Sequence, residues 1–158
     1  MIYYLSSETL TSTETEAAGK FQLLLESAAR QSLELVRPGE ELELTIVISN
    51  DSELHNFNRQ YLGVDAPTDV LSFPADEEDP DSGILYLGDV ILSLPRAQAQ
   101  AAAAGHGVDA ELQLLTVHGV LHLLGYDHTG PDDKAAMWSR QAEILTLLGC
   151  SIIAPSSE

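Results

Sequence analysis

Basic residues are scarce in this sequence. Seven lysines and arginines stand against 25 aspartates and glutamates, a formal net charge of −18 at pH 7. Such a chain repels nucleic acid and anionic membrane at long range. Any polyanionic substrate would therefore have to be met by a bound cation and a few local arginines. Most of the acidity reads as solvated surface, a solubility or salt adaptation, which argues against RNA without excluding it. Cysteine is almost absent. The single Cys150 excludes an intrachain disulfide and a Cys-rich metal site, and in LLGCSII it reads as a small buried apolar residue. Long apolar runs are missing too. The longest stretch free of Asp, Glu, Lys and Arg, Leu112 to Tyr126, contains two histidines and is too short to span a bilayer. The opening MIYYLSSETL has neither the basic start nor the apolar core of a signal peptide. A cytoplasmic protein with no membrane partner is expected.

Hydrophobic residues make up 44% of the 158, enough to bury one core, and no repeat or linker divides the chain. We expect a single domain over 1–158, frayed from about residue 150 to 158. Strand patterns fall at 2–5, 41–49, 69–73 and 84–93. The second is the clearest, alternating Leu42, Leu44, Ile46 and Ile48. The third is closed by Pro74, and Gly88 in the fourth suggests a bulge. ADEEDPDSG, 75–83, reads as an acidic solvated loop. The spacing predicts one amphipathic helix from Thr13 to Val36, ended by Arg37-Pro38-Gly39. Asn50-Asp51-Ser52 caps a short helix carrying Leu54, Phe57 and Tyr61 on one face. Pro95 opens an alanine-rich helix that Gly105 ends. Asp109 to Leu124 is apolar nearly all round, the pattern of a buried helix. Pro131-Asp132-Asp133 starts the last helix, with Met137, Gln141, Ile144 and Leu148 on one face. This order gives an α+β fold, a small mixed β-sheet of about four strands layered with helices.

The chemistry concentrates in HGVLHLLGYDH, from His118 to His128. Residues four apart on a helix share a face with Cβ atoms about 6 Å apart, so His118 and His122 can chelate one ion. Gly125 lets the chain reverse and swing His128 back towards them. Three imidazoles leave a fourth zinc position for water, the catalytic rather than the structural arrangement. A lone histidine on an apolar helix is usually a satisfied core residue. Here, though, three of the five histidines fall within eleven residues, and burying three together multiplies the demand for partners. His106 and His55 carry no such pattern. The spacing is that of the metzincin peptidases, but Gly119 stands where those enzymes carry their general-base glutamate. A glycine inside a buried helix costs about 1 kcal/mol relative to alanine, so something is expected to approach closely there.

HGVLHLLGYDH, together with PTDVLSFP (67–74) and LGDV (87–90), resembles the bacterial YbeY family of metal-dependent endoribonucleases, over about residues 42–149. The resemblance implies one zinc ion held by His118, His122 and His128. It also implies the ribosomal RNA precursor as substrate, in small-subunit 3′-end maturation and ribosome quality control. The ribosome or its small subunit would be the partner, and no DNA is expected. Where the family reads Tyr-Arg-x-x-Asp-x-x-Thr-Asp-Val-Leu-Ser-Phe, YLGVDAPTDVLSF places Leu62 at the arginine. Arg59, one turn earlier on the same predicted helix, is the candidate to meet RNA in its place. Either the metal's water attacks with no separate base, or a carboxylate takes the proton. Asp69 and Asp89 are the candidates for that role, or else orient a ligand histidine or cap a turn; Asp127 beside His128 is another orienting group. Two other functions are compatible with the residues. One is a ribosome assembly factor in which zinc chiefly stabilises the fold. The weaker is a metalloprotease-like hydrolase with a base other than Gly119.

Overall fold

The predicted alternation at 42–48 is the centre of a four-stranded sheet. In a computed structural model, which describes residues 1–150 and 152, β1 (Ile2–Ser6), β2 (Leu42–Ser49), β3 (Val70–Glu78) and β4 (Leu85–Ser93) lie in the order β1-β2-β4-β3. β2 runs parallel to both β1 and β4, and β3 returns antiparallel against β4. The mixed sheet expected of an α+β fold is present.

Leu44, Ile46 and Ile48 point to one face with Val90 and Leu92, all essentially fully buried. That face is covered by α1 (Ser12–Gly19), α2 (Gln22–Val36), α4 (Leu94–Ala104) and α5 (Val108–Leu123). α6 (Pro131–Leu147) forms a further layer, packing Met137, Ile144 and Leu145 against Leu114, Val117 and Leu121 of α5. α3 (Asp51–Leu62) lies on the opposite face, burying Leu54 with Leu71 and Ile91. α5 is thus enclosed by the sheet, α2, α4 and α6. Its all-round apolar sequence answers to that position.

Two expectations need correction. The single helix over 13–36 is broken into α1 and α2 at Gly19–Phe21. Lys20 and Phe21 close three-residue turns onto Ala17 and Ala18, and the Tyr4 hydroxyl donates to the Ala18 carbonyl at 2.6 Å. The break turns Ala18 and Leu25 into one core, while the apolar spacing runs on through it. The third strand does not stop at Pro74. β3 continues through Ala75–Glu78 with an irregularity between Pro74 and Glu77, because a strand at the sheet edge tolerates a residue without an N–H. Only 79–83 of the acidic segment turn, around the Asp79 carboxylate, which accepts from Asp81 N and Ser82 N.

The bulge expected at Gly88 is there. Glu43 pairs with Tyr86 but Leu44 with Gly88, and Gly88 has φ 139°. A Cβ on it would strike the Phe73 carbonyl oxygen. Cys150 is half-buried beside the α5–α6 cluster. The tail expected to fray lies, beyond Cys150 and Ile152, outside the described residues.

Candidate metal centre

α5 ends in the turn that builds the site. His118 and His122 occupy one face of its last two turns. Leu124 N donates back to Val120 and Leu121, and Tyr126 N to the Leu121 carbonyl at 3.0 Å. Gly125, at φ 99°, makes this reversal in a backbone conformation that other residues rarely adopt. The returning chain brings His128 over the helix, its ring 5.4 Å from that of His118 and 5.0 Å from that of His122. One ligand nitrogen from each histidine falls within 4.8 Å of the others.

The His118 ring is held in the tautomer a metal needs. Gln141, fully buried on α6, presents Oε1 to Nδ1 of His118 at 3.0 Å. That oxygen can only accept, so Nδ1 carries the proton and Nε2 keeps its lone pair. Nε2 of His118 and Nε2 of His122 face each other at 3.2 Å, a separation that an Nε2 proton on His122 or a shared cation would bridge. Among the described residues the buried Nε2 of Gln141 has no hydrogen-bond partner, the cost of aiming its oxygen at His118. Burial first, and then the neighbouring His118 and His128, push the His122 imidazole down to about 4, keeping it neutral at ordinary pH. The donor set therefore fits a borderline divalent ion such as zinc. Trp138 closes the back of the cluster, edge-on to His118 and His128 at 5.6 Å each, with the Lys134 ammonium 5.5 Å from its centroid.

The histidines open on a cleft of about 570 Å³ between the end of α5 and the β3 edge. Asp69, Ser72 and Leu62 line it, as do Tyr126 and Asp127 from the loop after α5. Arg140 fixes the Tyr126 hydroxyl at 3.1 Å, and the Asp127 carboxylate accepts from His128 N at 2.7 Å. No lysine or arginine is among the lining residues.

Comparison with known proteins gives the chain a family. The family model for Endoribonuclease YbeY matches residues 7–149, α1 through α6. The chain belongs to the YbeY family. Curated relatives named Endoribonuclease YbeY include one from Chloroflexus aurantiacus, 51% identical over 133 residues and covering 80% of this chain and 86% of that one. One from Pelotomaculum thermopropionicum is 48% identical over 125 residues, 77% of this chain and 82% of that one. The solution structure of TM1509 from Thermotoga maritima shares the fold, with TM-score 0.55 at 22% identity over 100% of this chain and 96% of that one. The chain is thus a member of a nuclease family, and the match reaches well N-terminal of the residue 42 expected from the motifs.

Against the YbeY motifs, the other candidate residues separate. Asp69 lines the cleft, and its carboxyl is pushed up from its ordinary value by burial, against the opposing pull of backbone N–H groups, Arg96 and Thr68. Gln100 Nε2 donates to its Oδ2 at 3.2 Å. Asp89 is not brought to the histidines. Val90 points at α5, so Asp89 points to the other face of the sheet, where its Oδ1 accepts from Tyr86 OH at 2.5 Å. Arg59 does not line the cleft either. It is exposed on α3 and donates to Asn56 Oδ1 at 3.3 Å, while Leu62 lines the cleft. Gly119 packs on the sheet, as its cost in a buried helix foretold. A Cβ there would lie 2.6 Å from Val90 Cγ1, and Ser72 Oγ donates to its carbonyl at 2.8 Å. No glutamate fits at this position. Gln141 and Trp138 were not anticipated as parts of the site. The available signal was one buried amide on the apolar stripe Met137, Gln141, Ile144.

Proposed function

We propose that this protein is a zinc-dependent, single-strand endoribonuclease of the cytoplasm, acting on ribosomal RNA precursor in small-subunit 3′-end maturation and ribosome quality control. The observation that carries the reading is three convergent imidazole nitrogens opening onto a cleft, in a chain of the YbeY family. His118, His122 and His128 hold one ion, which when bound supplies a Lewis acid that acidifies water and offsets phosphate charge.

The chain's own groups then divide the work. Gln141 holds His118 in the tautomer that exposes Nε2. Asp69, whose raised proton affinity suits a proton acceptor, takes the proton from the attacking water across the cleft. Arg140 and the Tyr126 hydroxyl fix the loop that carries His128. The ribosome or its small subunit presents the RNA, and neither DNA nor membrane is a partner. Among the described residues no helix is long and apolar enough to cross a membrane.

The deciding comparison uses an RNA precursor ending in the small-subunit 3′ region, with bound metal recorded for wild type and a folded His118→Ala variant. Cuts by the wild type alone, with metal lost from the variant, are expected. Equal traces from both would sink the enzymatic reading. The cation-free cleft and Leu62 favour one alternative, a ribosome assembly factor in which zinc stabilises the fold. On that reading a folded variant shows no chemical defect.

A further inference from the structure

A cleft with two carboxylates and no lysine or arginine has little to offer a phosphate backbone beyond the bound ion. Affinity for a single strand has a second physical source that charge does not oppose, stacking of unpaired bases on aromatic rings. The rim of the cleft carries such a surface. At the C-terminal end of α3, Tyr61, Leu62 and Val64 are 61%, 55% and 48% exposed, turned outward around the left-handed cap Gly63.

Single exposed apolar residues are ordinary on any protein surface. Three in four consecutive positions, beside a catalytic cleft, are not. The Tyr61 ring is also held from behind. Phe73 meets it edge-on at 5.6 Å, and Phe57 lies at 5.9 Å, tilted by 48°. Phe57 and Phe73 themselves pack edge-to-face at 6.2 Å and belong to the small core under α3. Tyr61 is thus backed by two rings anchored in the fold yet mostly open to solvent. The surface reaches the cleft through Leu62, which follows Tyr61 on α3 and lines it.

On the reading that the substrate is single-stranded RNA, we propose that Tyr61, braced by Phe57 and Phe73, is a stacking platform for an unpaired base of that RNA. Leu62 and Val64 form its apolar margin. The platform positions the strand with its phosphate in the cleft and tolerates any base, because every base has a π face. It also predicts a shallow dependence of binding on salt, since few phosphate contacts release counterions.

The test uses metal-loaded protein and single-stranded RNA carrying 2-aminopurine at successive positions, with fluorescence read on rapid mixing and cleavage read afterwards. Wild type is expected to quench the probe at one or two positions near the cut. Tyr61→Leu keeps an apolar side chain but no ring, so it loses the quenching and raises KM about 10-fold, with kcat little changed. Tyr61→Trp restores both. Bound metal and circular dichroism confirm that the variants are folded. If wild type cleaves without quenching at any position, or Tyr61→Leu matches wild type in KM, the platform is wrong while the ribonuclease reading stands. If wild type neither binds nor cleaves RNA, both fall.

Discussion

Gln141 is the residue on which the candidate metal centre turns without being one of its three histidines. Its amide oxygen fixes the His118 ring, and neutral amides orient imidazoles less strongly than carboxylates do. Gln141→Leu keeps the volume and removes the acceptor. We expect metal affinity to fall about 10–100-fold, read by competition with a chromophoric chelator, with the fold intact. Asp69 makes a second prediction, this one dependent on pH. Its folded proton affinity is raised above that of the unfolded chain, so its contribution to stability is present at acidic pH and lost as pH rises through the folded value. Asp69→Asn carries no such penalty. At pH 7–8 its melting temperature should exceed that of wild type, the gap closing on acidification, while on the proposed role of Asp69 as proton acceptor kcat falls about 100-fold. At this scale the histidines were legible because two are spaced along one helix and the third follows just past its glycine turn. Gln141 was not, since its meeting with His118 depends on how α6 docks. Arg59 and Asp89 show the converse. They lie in or near informative motifs, but one faces solvent on α3 and the other the far side of the sheet.

The elements meet most tightly where α5 crosses the sheet, and Gly119 sets how closely they approach. Alanine there gains about 1 kcal/mol of helix propensity. Its Cβ, however, would sit 2.6 Å from the buried Val90 side chain, and such overpacking costs about 1–3 kcal/mol. Because Val90 is wholly enclosed and Gly119 is tied to Ser72, we expect the clash to win by about 1 kcal/mol in urea unfolding. Val90→Ala should then be less damaging beside Gly119→Ala than in wild type, a coupling that a double-mutant cycle resolves. Strand β2 and helix α5 were readable from periodicity alone, and Gly119 announced the contact without naming its partner. The break between α1 and α2 was hidden, because the apolar spacing continues across Gly19 and the turn is set by the core it faces. The continuation of β3 past Pro74 was hidden for a related reason. A proline closes a central strand, and the sequence does not say which strand lies at the edge.

For the molecule as a whole, the three histidines positioned to bind a metal ion join the end of α5 to the loop that leads into α6. A bound ion therefore stabilises the assembled helices over the unfolded chain. At a free concentration 100 times its dissociation constant it would contribute about 2.7 kcal/mol. Removing it with a chelator should lower the melting temperature by about 5–10 °C, and adding zinc back should restore it. The same topology has a bearing on how the chain is made. The four strands end at Ser93, but α4 and α5, which complete the cover of their apolar face, are not finished until Leu123. At translation speeds of roughly 5–20 residues per second, those thirty residues take about 2–6 s. For that interval the nascent chain carries a sheet whose apolar face is covered by α1 and α2 alone, so its need of a chaperone is greatest midway through its own synthesis.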